Sequence, residues 1–409
     1  MSINKDTIVG IDFGTTKICV IVANVNDGNI EIVGVGTHPS TGIRKGVIVN
    51  IDATVEAVKK AVEQAELMSG CDDITGAYAG IAGGHISGFN NVGMIEIKGE
   101  TISEADVARV IDMARAYNIG AEREVIHVIP QEYVIDGQKG IRDPIGMSGV
   151  RLEAKVHIIT GAVSSAQNII RCSNQCGLSV NDIVLEPIAS SEAVLSPDEK
   201  ELGVALLDIG GGTSDLAIFF DGSIVHSSVL AIGGNHITND IALGLRTPAS
   251  EAERIKKEYG CALVRSVGRD QSIEVPSVGA RKPKTIPRHI LAEIIEPRVD
   301  EILTLVNHEI KKSGYAELLS SGVVITGGTS LLDGILELAE MIFDLPVRRG
   351  IPIGFGGLKN VLNNPIYSTG VGLVIYGSKV KGTNRFKVRD DNIYDRVKQR
   401  MTELYKELF

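Results

Sequence analysis

Short apolar runs of strand length alternate along this chain with glycine-rich turns and with stretches whose apolar positions recur every three to four residues. The first run covers 7–11. A turn and a β-branched run over 18–22 follow, which predicts a hairpin. Residues 30–35 predict a third strand, Gly42-Ile-Arg-Lys-Gly46 a turn, and 47–51 an extended segment. Val55, Val58, Ala61, Val62 and Ala65 fall at helical spacing, so a helix capped by Asp52 or Thr54 should run to about Ser69. Residues 76–81 are a strand of small residues before a Gly-Gly-His turn. Three strands, a helix and a strand suit a mixed α/β unit.

The texture changes over 86–160. Residues 94–97 alternate like a strand, and Ser103 and Asp106 stand at capping-box spacing before a helix to about Tyr117. Residues 124–128, 131–135 and 152–159 read as strands, with a loop over 142–149. The set is self-contained, which favours a separate inserted module over a simple extension of the preceding unit.

Beyond it, 165–176 is helical to Gly177, 180–185 is a strand, and Pro187 marks a helix start. A second strand–turn–strand unit occupies 204–207 and 216–220, with a further strand at 227–232. Gly233, Gly234 and Asn235 precede a helix and leave free N–H groups suited to an anion. A charged helix over 250–259, a polar β-loop region over 268–287 and a long amphipathic helix over 290–312 follow. Strand 321–326 runs into Gly327-Gly-Thr-Ser330, with a helix from about Leu331 and a last helix over 369–376. After Gly377 a polar linker leads to 392–409, where Ile393, Val397, Met401, Leu404, Tyr405 and Leu408 share one face and Phe409 closes the chain.

Composition narrows the function classes. A chain of 409 residues has room for several subdomains, and a formal charge of −10 argues against a nucleic-acid binder. Five cysteines, an odd number in mostly apolar or helical contexts, fit a reduced cytosolic protein. Cys172 and Cys176 share a helix face, but no histidine or second cysteine pair lies nearby to complete a metal site. No signal peptide opens the chain, and no apolar stretch reaches the length of about 18 residues that spans a bilayer.

The two strand–turn–strand units carry the candidate chemistry. Each strand ends in an aspartate, Asp12 or Asp208, before a turn of glycine with Thr, Ser or Lys. Glycines let backbone N–H groups approach a phosphate, hydroxyls add donors, and an aspartate at a strand end can hold a hydrated Mg²⁺. One copy is weak, because glycine turns after strands are common. Two copies half a chain apart imply similar halves facing each other across one cleft.

Five motifs occur in order: Asp12-x-Gly-Thr-Thr16, Glu186-Pro-x-Ala189, Asp208-x-Gly-Gly-Gly-Thr213, Glu253-x-x-Lys256 and Thr326-Gly-Gly-Thr329. Their order resembles that of the actin, sugar-kinase and DnaK-type chaperone superfamily. Within it the chain resembles the FtsA family of bacterial cell-division proteins over about 5–378. That likeness is carried by Ala82-Gly-Gly-His-Ile86, Pro130-Gln-Glu-Tyr133, Asp143-Pro-Ile-Gly-Met-Ser-Gly-Val-Arg-Leu-Glu153, Glu186-Pro-Ile-Ala-Ser-Ser-Glu-Ala-Val194 and Asn239-Asp-Ile-Ala-Leu-Gly-Leu-Arg-Thr-Pro248.

The resemblance implies an α/β, actin-like fold: two duplicated ribonuclease-H-like halves around a nucleotide cleft, with an FtsA-type inserted subdomain. It divides the chain into a first-half core (5–85), the insertion (86–160) and a return with a connecting helix (161–200). A second-half core (201–232), an outer subdomain (233–320) and a return to the core (321–378) follow. A linker (379–391) and an amphipathic membrane-targeting helix (392–409) end the chain. The cofactors implied are ATP and Mg²⁺. Asp12 and Asp208 would hold the metal through its waters, and Gly14, Thr15, Thr16 and Lys17 with Gly210, Gly211, Gly212 and Thr213 would wrap the β- and γ-phosphates. Glu186 would orient the attacking water. Glu253, Lys256 and Lys257 match ribose and adenine contacts, although alone they read as a surface pair on one helix. Gly327, Gly328 and Thr329 match the adenine-side turn.

The implied function is an actin-like protein that polymerises on the cytoplasmic face of the cell membrane at the division site and tethers FtsZ filaments of the Z ring. It would be a slow ATPase at most. Its partners would be FtsZ, further copies of itself, membrane lipids through the tail, and later division proteins through the insertion, with no nucleic acid. The tail is short, lacks tryptophan and carries three acids, so stable attachment would need many tails presented together. The alternative is that it docks back on the body. A cell-shape actin of the MreB type or a sugar kinase are the rival readings. No catalytic aspartate of an acceptor site is visible for a kinase, and only about 30 residues follow Tyr376 where a chaperone needs a substrate domain.

Overall fold

The computed structural model describes residues 7–26, 28–71, 74–116, 118–268, 270–277 and 282–380. The tail residues Ile393, Val397, Met401, Leu404, Tyr405, Leu408 and Phe409 lie outside them.

In chain order the first elements are β1 (Thr7–Phe13), β2 (Lys17–Asn26), β3 (Asn29–Pro39), β4 (Ile43–Arg44), β5 (Val47–Ile48), α1 (Ile51–Ser69) and β6 (Gly76–Ile81). Next come β7 (Ser87–Glu96), α2 (Glu104–Arg115), β8 (Arg123–Ile135), β9 (Gln138–Ile141) and β10 (Arg151–Ala162). The chain returns through α3 (Val163–Gln175), β11 (Ser179–Leu185), α4 (Glu186–Val194) and α5 (Pro197–Leu202). Then follow β12 (Val204–Ile209), β13 (Ser214–Phe220), β14 (Ser223–Leu230), α6 (Gly234–Leu245), α7 (Ala249–Tyr259), β15 (Ser272–Val275), β16 (Lys284–Pro287) and α8 (Arg288–Ser313). The last elements are β17 (Val323–Thr326), α9 (Ile335–Phe343), β18 (Val347–Arg349), β19 (Gly356–Gly357), α10 (Lys359–Leu362) and α11 (Ser368–Val380).

Two sheets repeat one plan. One has the order β11-β6-β1-β2-β3-β19, the other β14-β13-β12-β17-β18. In each, two antiparallel neighbours form the carboxylate-tipped hairpin, and the first strand also pairs in parallel with a strand across a helical crossover. Strands covered on both faces read as unbroken apolar runs, which is why 204–209 is buried throughout. A core that includes Ile21, Ala193, Leu206, Ala217, Leu373 and Val374 joins the halves through α4 and α11. Each fully buried Val, Leu or Ile side chain there contributes roughly 1.5–3 kcal/mol.

The stretch over 86–160 forms its own sheet, β7-β10-β8-β9, covered by α2 and centred on Leu152, Ala154, Val156 and Ile158. Its other end rests on β14, the edge strand of the second sheet. Asn90 Nδ2 donates to Val225 O (3.1 Å), Gln131 Nε2 to Ile224 O (3.1 Å), and His157 Nε2 meets Ser227 Oγ at 2.8 Å. These contacts cover edge groups that would otherwise be open to pairing. Burial, with the nearby His226 adding to it, lowers the His157 pKa to about 4, so this ring is neutral.

Several local expectations are corrected. The segments 124–128 and 131–135 are one strand, because a bulge beside Pro130 absorbs its missing N–H and aims Gln131 at β14. The cap of α1 is Asn50, whose side chain accepts from Ala53 N, and neither Asp52 nor Thr54; the extended segment 47–51 therefore shortens to β5. The helix expected near Leu331 starts at Ile335, after Gly334 at φ +74°. The capping box of Ser103 and Asp106 forms as expected.

Candidate functional site

The ends of β1 and β12 open into one cleft of about 530 Å³. Asp12 and Asp208 both line it, as do Gly14, Thr15, Thr16, Lys17, Glu186, Gly210, Gly211, Gly212, Thr213, Gly234 and Asn235. Glu253, Lys256, Lys257, Gly327, Gly328 and Thr329 line it too. Gly233 stands one residue behind the lining, as the cap of α6. The two turns approach closely: a Cβ on Gly211 would lie 2.3 Å from Thr16 Cγ2, and one on Gly212 would lie 2.5 Å from Thr15 Oγ1. Side chains at those glycines would hold the halves apart.

The electrostatics follow from burial. Desolvation raises Asp12, against the nearby Lys17, and pushes Asp208 up to about 6 with Asp12 adding to it. Desolvation, reinforced by Asp12, Asp215 and Asp208, holds the Glu186 carboxyl well above the usual carboxylate range. Burial works against the Lys17 charge, but Cys19, Asp12, Tyr367 and Asp208 outweigh it and keep the ammonium above its ordinary value. Lys17 Nζ is 3.9 Å from Asp12 Oδ2 and 5.0 Å from the Tyr367 ring centroid, is buried, and has no hydrogen-bond partner.

The cleft's other wall is more fully satisfied. Lys256 Nζ donates to Gly234 O (3.0 Å) and Thr238 Oγ1 (2.8 Å) and pairs with Glu253 (2.6 Å), which also pairs with Lys257 (3.2 Å). Lys256 therefore fixes the first turn of α6. Gly327, at φ +83°, stands where a Cβ would lie 2.3 Å from Asp208 Oδ1, so this turn packs against the second aspartate. Leu331, Leu332, Pro365 and Ile366 give the cleft an apolar side suited to a flat ring.

One acid was missed in the sequence. Asp215 on β13 stands opposite Asp208, is 2% exposed, and has an oxygen, Oδ1, without a hydrogen-bond partner. Burial, with Asp208 beside it, pushes it up to about 8. A lone acid two positions past Thr213 in an otherwise apolar run was the available signal.

The site fits a metal–phosphate group. A buried ammonium without a hydrogen bond, two glycine turns and an excess of carboxyl groups are the complement of a polyphosphate with a divalent cation. No cluster of three His, Cys, Asp or Glu poised for direct ligation occurs among the described residues.

The family model described as "Cell division protein FtsA" matches residues 205–372, and that described as "SHS2 domain inserted in FTSA" matches 83–160. A cell division protein FtsA of Pseudomonas aeruginosa is 53% identical over 371 residues, covering 90% of this chain and 89% of its own length. That of Escherichia coli K12 is 43% identical, covering 92% and 91%. Among solved structures, the PilM–PilN type IV pilus biogenesis complex aligns with TM-score 0.67 and 14% identity, covering 91% of this chain and 98% of that one. MreB5 of Spiroplasma citri aligns at 0.57 and 16%, covering 92% and 97%. These two likenesses show the actin-like fold.

Proposed function

The chain belongs to the FtsA family of cell-division proteins, and from that premise we propose that it binds Mg²⁺–ATP in the cleft, polymerises on the cytoplasmic face of the cell membrane and tethers FtsZ filaments at the division site. The observation that carries the nucleotide reading is Lys17: its ammonium is buried between two glycine turns with no hydrogen bond. The solved structures of MreB5, one described as bound to ADP and one as bound to AMPPNP, support it by likeness of fold (TM-scores 0.57 and 0.53).

On this reading Asp12 and Asp208 hold the metal's waters, the turns 14–17 and 210–213 donate to the β- and γ-phosphates, and Lys17 adds a point charge. Mg²⁺ supplies positive charge that neutralises the phosphates. Glu186, at the start of α4 and on the cleft lining, is placed to orient the attacking water and accept its proton. Glu253, Lys256 and Lys257 close the ribose side, and Gly327, Gly328 and Thr329 admit the purine. Closure of the two turns on a nucleotide shifts the balance of open and closed forms, and so sets protomer contacts. Any ATPase activity is slow. The outer subdomain, 233–320, is the FtsZ-facing part, and the insertion, 86–160, serves later division proteins. The helix 392–409 carries the protein to lipid.

Two assays test this. ATP titrated into the full chain with Mg²⁺ should bind at one site, and FtsZ should co-sediment with the protein on liposomes only while 392–409 is present. Equal liposome flotation with and without 392–409 would remove the membrane role, and no ATP binding would remove the nucleotide role.

A further inference from the structure

Three hairpin loops in the described residues place a side-chain-bearing residue at positive φ before a glycine. Two are Asp136-Gly137 and Asp221-Gly222, with aspartates at φ +48° and +52°. Aspartate suits that place because its short side chain bonds locally and tolerates the left-handed region. The third loop joins β4 to β5 and is Lys45-Gly46, at φ +49° and +74°. A lysine makes no such local bond, so its conformational cost is not offset within the turn. Backbone outliers of this kind concentrate at functional sites.

The tip's position supplies a use. Gly46 N–H donates to Thr15 Oγ1 (3.0 Å), and Gly46 lines the cleft. A Cβ on Gly212 would lie 2.9 Å from Lys45 Cα, so the same tip also leans on the second half's turn. The hairpin is braced behind by Val49 N and Asn50 N, which donate to Gly42 O (2.8 and 3.1 Å), and Asn50 caps α1. The Lys45 side chain is exposed and forms no ion pair among the described residues. A cation on a flexible stem thus stands on a rigid support where the two phosphate turns meet. The second turn itself carries no cation between Gly210 and Thr213.

We propose that Lys45 is a second phosphate-binding cation, brought onto the terminal phosphate of a nucleoside triphosphate, and that it sets the preference for triphosphate over diphosphate. This rests on the nucleotide reading above. A diphosphate bound by the same turns leaves the tip without an anion to meet.

The test is displacement of a fluorescent nucleotide analogue by ATP and by ADP, with Mg²⁺, on the full chain and its Lys45→Asn and Lys45→Arg variants. Asparagine suits the turn better than lysine, so a folding failure is not the expected result. Lys45→Asn should weaken ATP by about tenfold or more, as for a lost bond to a charged group, and ADP by less than about twofold. Lys45→Arg should keep most of the preference, and the melting temperature without nucleotide should not fall. Equal losses for ATP and ADP, or none, would overturn the proposal while leaving the nucleotide reading intact. If the unaltered chain binds neither nucleotide, the nucleotide reading fails first and this proposal falls with it.

Discussion

The hairpins β1–β2 and β12–β13 share a register yet differ at the position that matters. The partner of Asp12 across the ladder is Cys19, whereas the partner of Asp208 is Asp215. The first turn brings Lys17, and the second brings only glycines and Thr213. The repeated backbone has therefore been given opposite charges: a cation beside one acid in the first half, a pair of acids in the second. Burial acts on both. It raises the Cys19 thiol to about 11, so that group is neutral, and it raises Asp215 to about 8. The lesson is that duplication supplies the geometry, while one substitution per half assigns the electrostatic task.

The largest effect expected from disturbing this contrast is at its cation. Lys17→Ala leaves buried acids without their counter-charge and a phosphate without its ligand. ATP affinity should fall by up to about a hundredfold, as for a lost bond to a charged group worth about 1.5–3 kcal/mol. Isothermal titration reads this, and a loss below about fivefold would show that Lys17 is a bystander.

Making the halves alike comes next. Cys19→Asp would set a second acid opposite Asp12 and should lower stability by about 3 kcal/mol, measured by denaturant unfolding without metal. Unchanged stability would mean that this position is wetter than its burial indicates.

The acid pair predicts a pH signature. In the folded, metal-free protein Asp215 titrates near 8, while in the unfolded chain an aspartate titrates at about 3.9. The fold therefore binds more protons between those values. Its contribution is fully present below about pH 4 and is lost as pH rises through about 8. The melting temperature of the metal-free chain should fall from pH 6 to pH 8.5, and Asp215→Asn should flatten that slope. A slope untouched by the substitution would place the ionisation elsewhere.

The smallest effects separate the glycines of one turn. Gly212→Ala puts a Cβ 2.5 Å from Thr15 Oγ1 and 2.9 Å from Lys45 Cα, and should weaken ATP by roughly tenfold. At Gly210 the nearest atom would be 3.6 Å away, so Gly210→Ala should be nearly silent.

Much of this was legible in the sequence because it is local. Asp12, Asp208 and the glycine turns announce themselves by spacing, and the burial of 204–209 by its apolar run. What was not legible is pairing across distance. That Asp215 faces Asp208 depends on ladder register, and that Gln131 reaches β14 depends on a bulge at Pro130 and on where the insertion rests. The cap of α1 moved to Asn50 because Asn, Asp and Thr all fit the role, and only the chain direction out of β5 selects among them. The tail's amphipathic pattern lies beyond the described residues.

The most direct measurement is a double-mutant cycle on Mg²⁺-dependent ATP binding with Asp12→Asn and Asp208→Asn. If both turns grip one metal–nucleotide group, wild type binds one ATP per chain, each single variant loses most of the Mg²⁺ dependence, and the double variant loses little more. Strictly additive losses, or two sites per chain, would contradict a shared site.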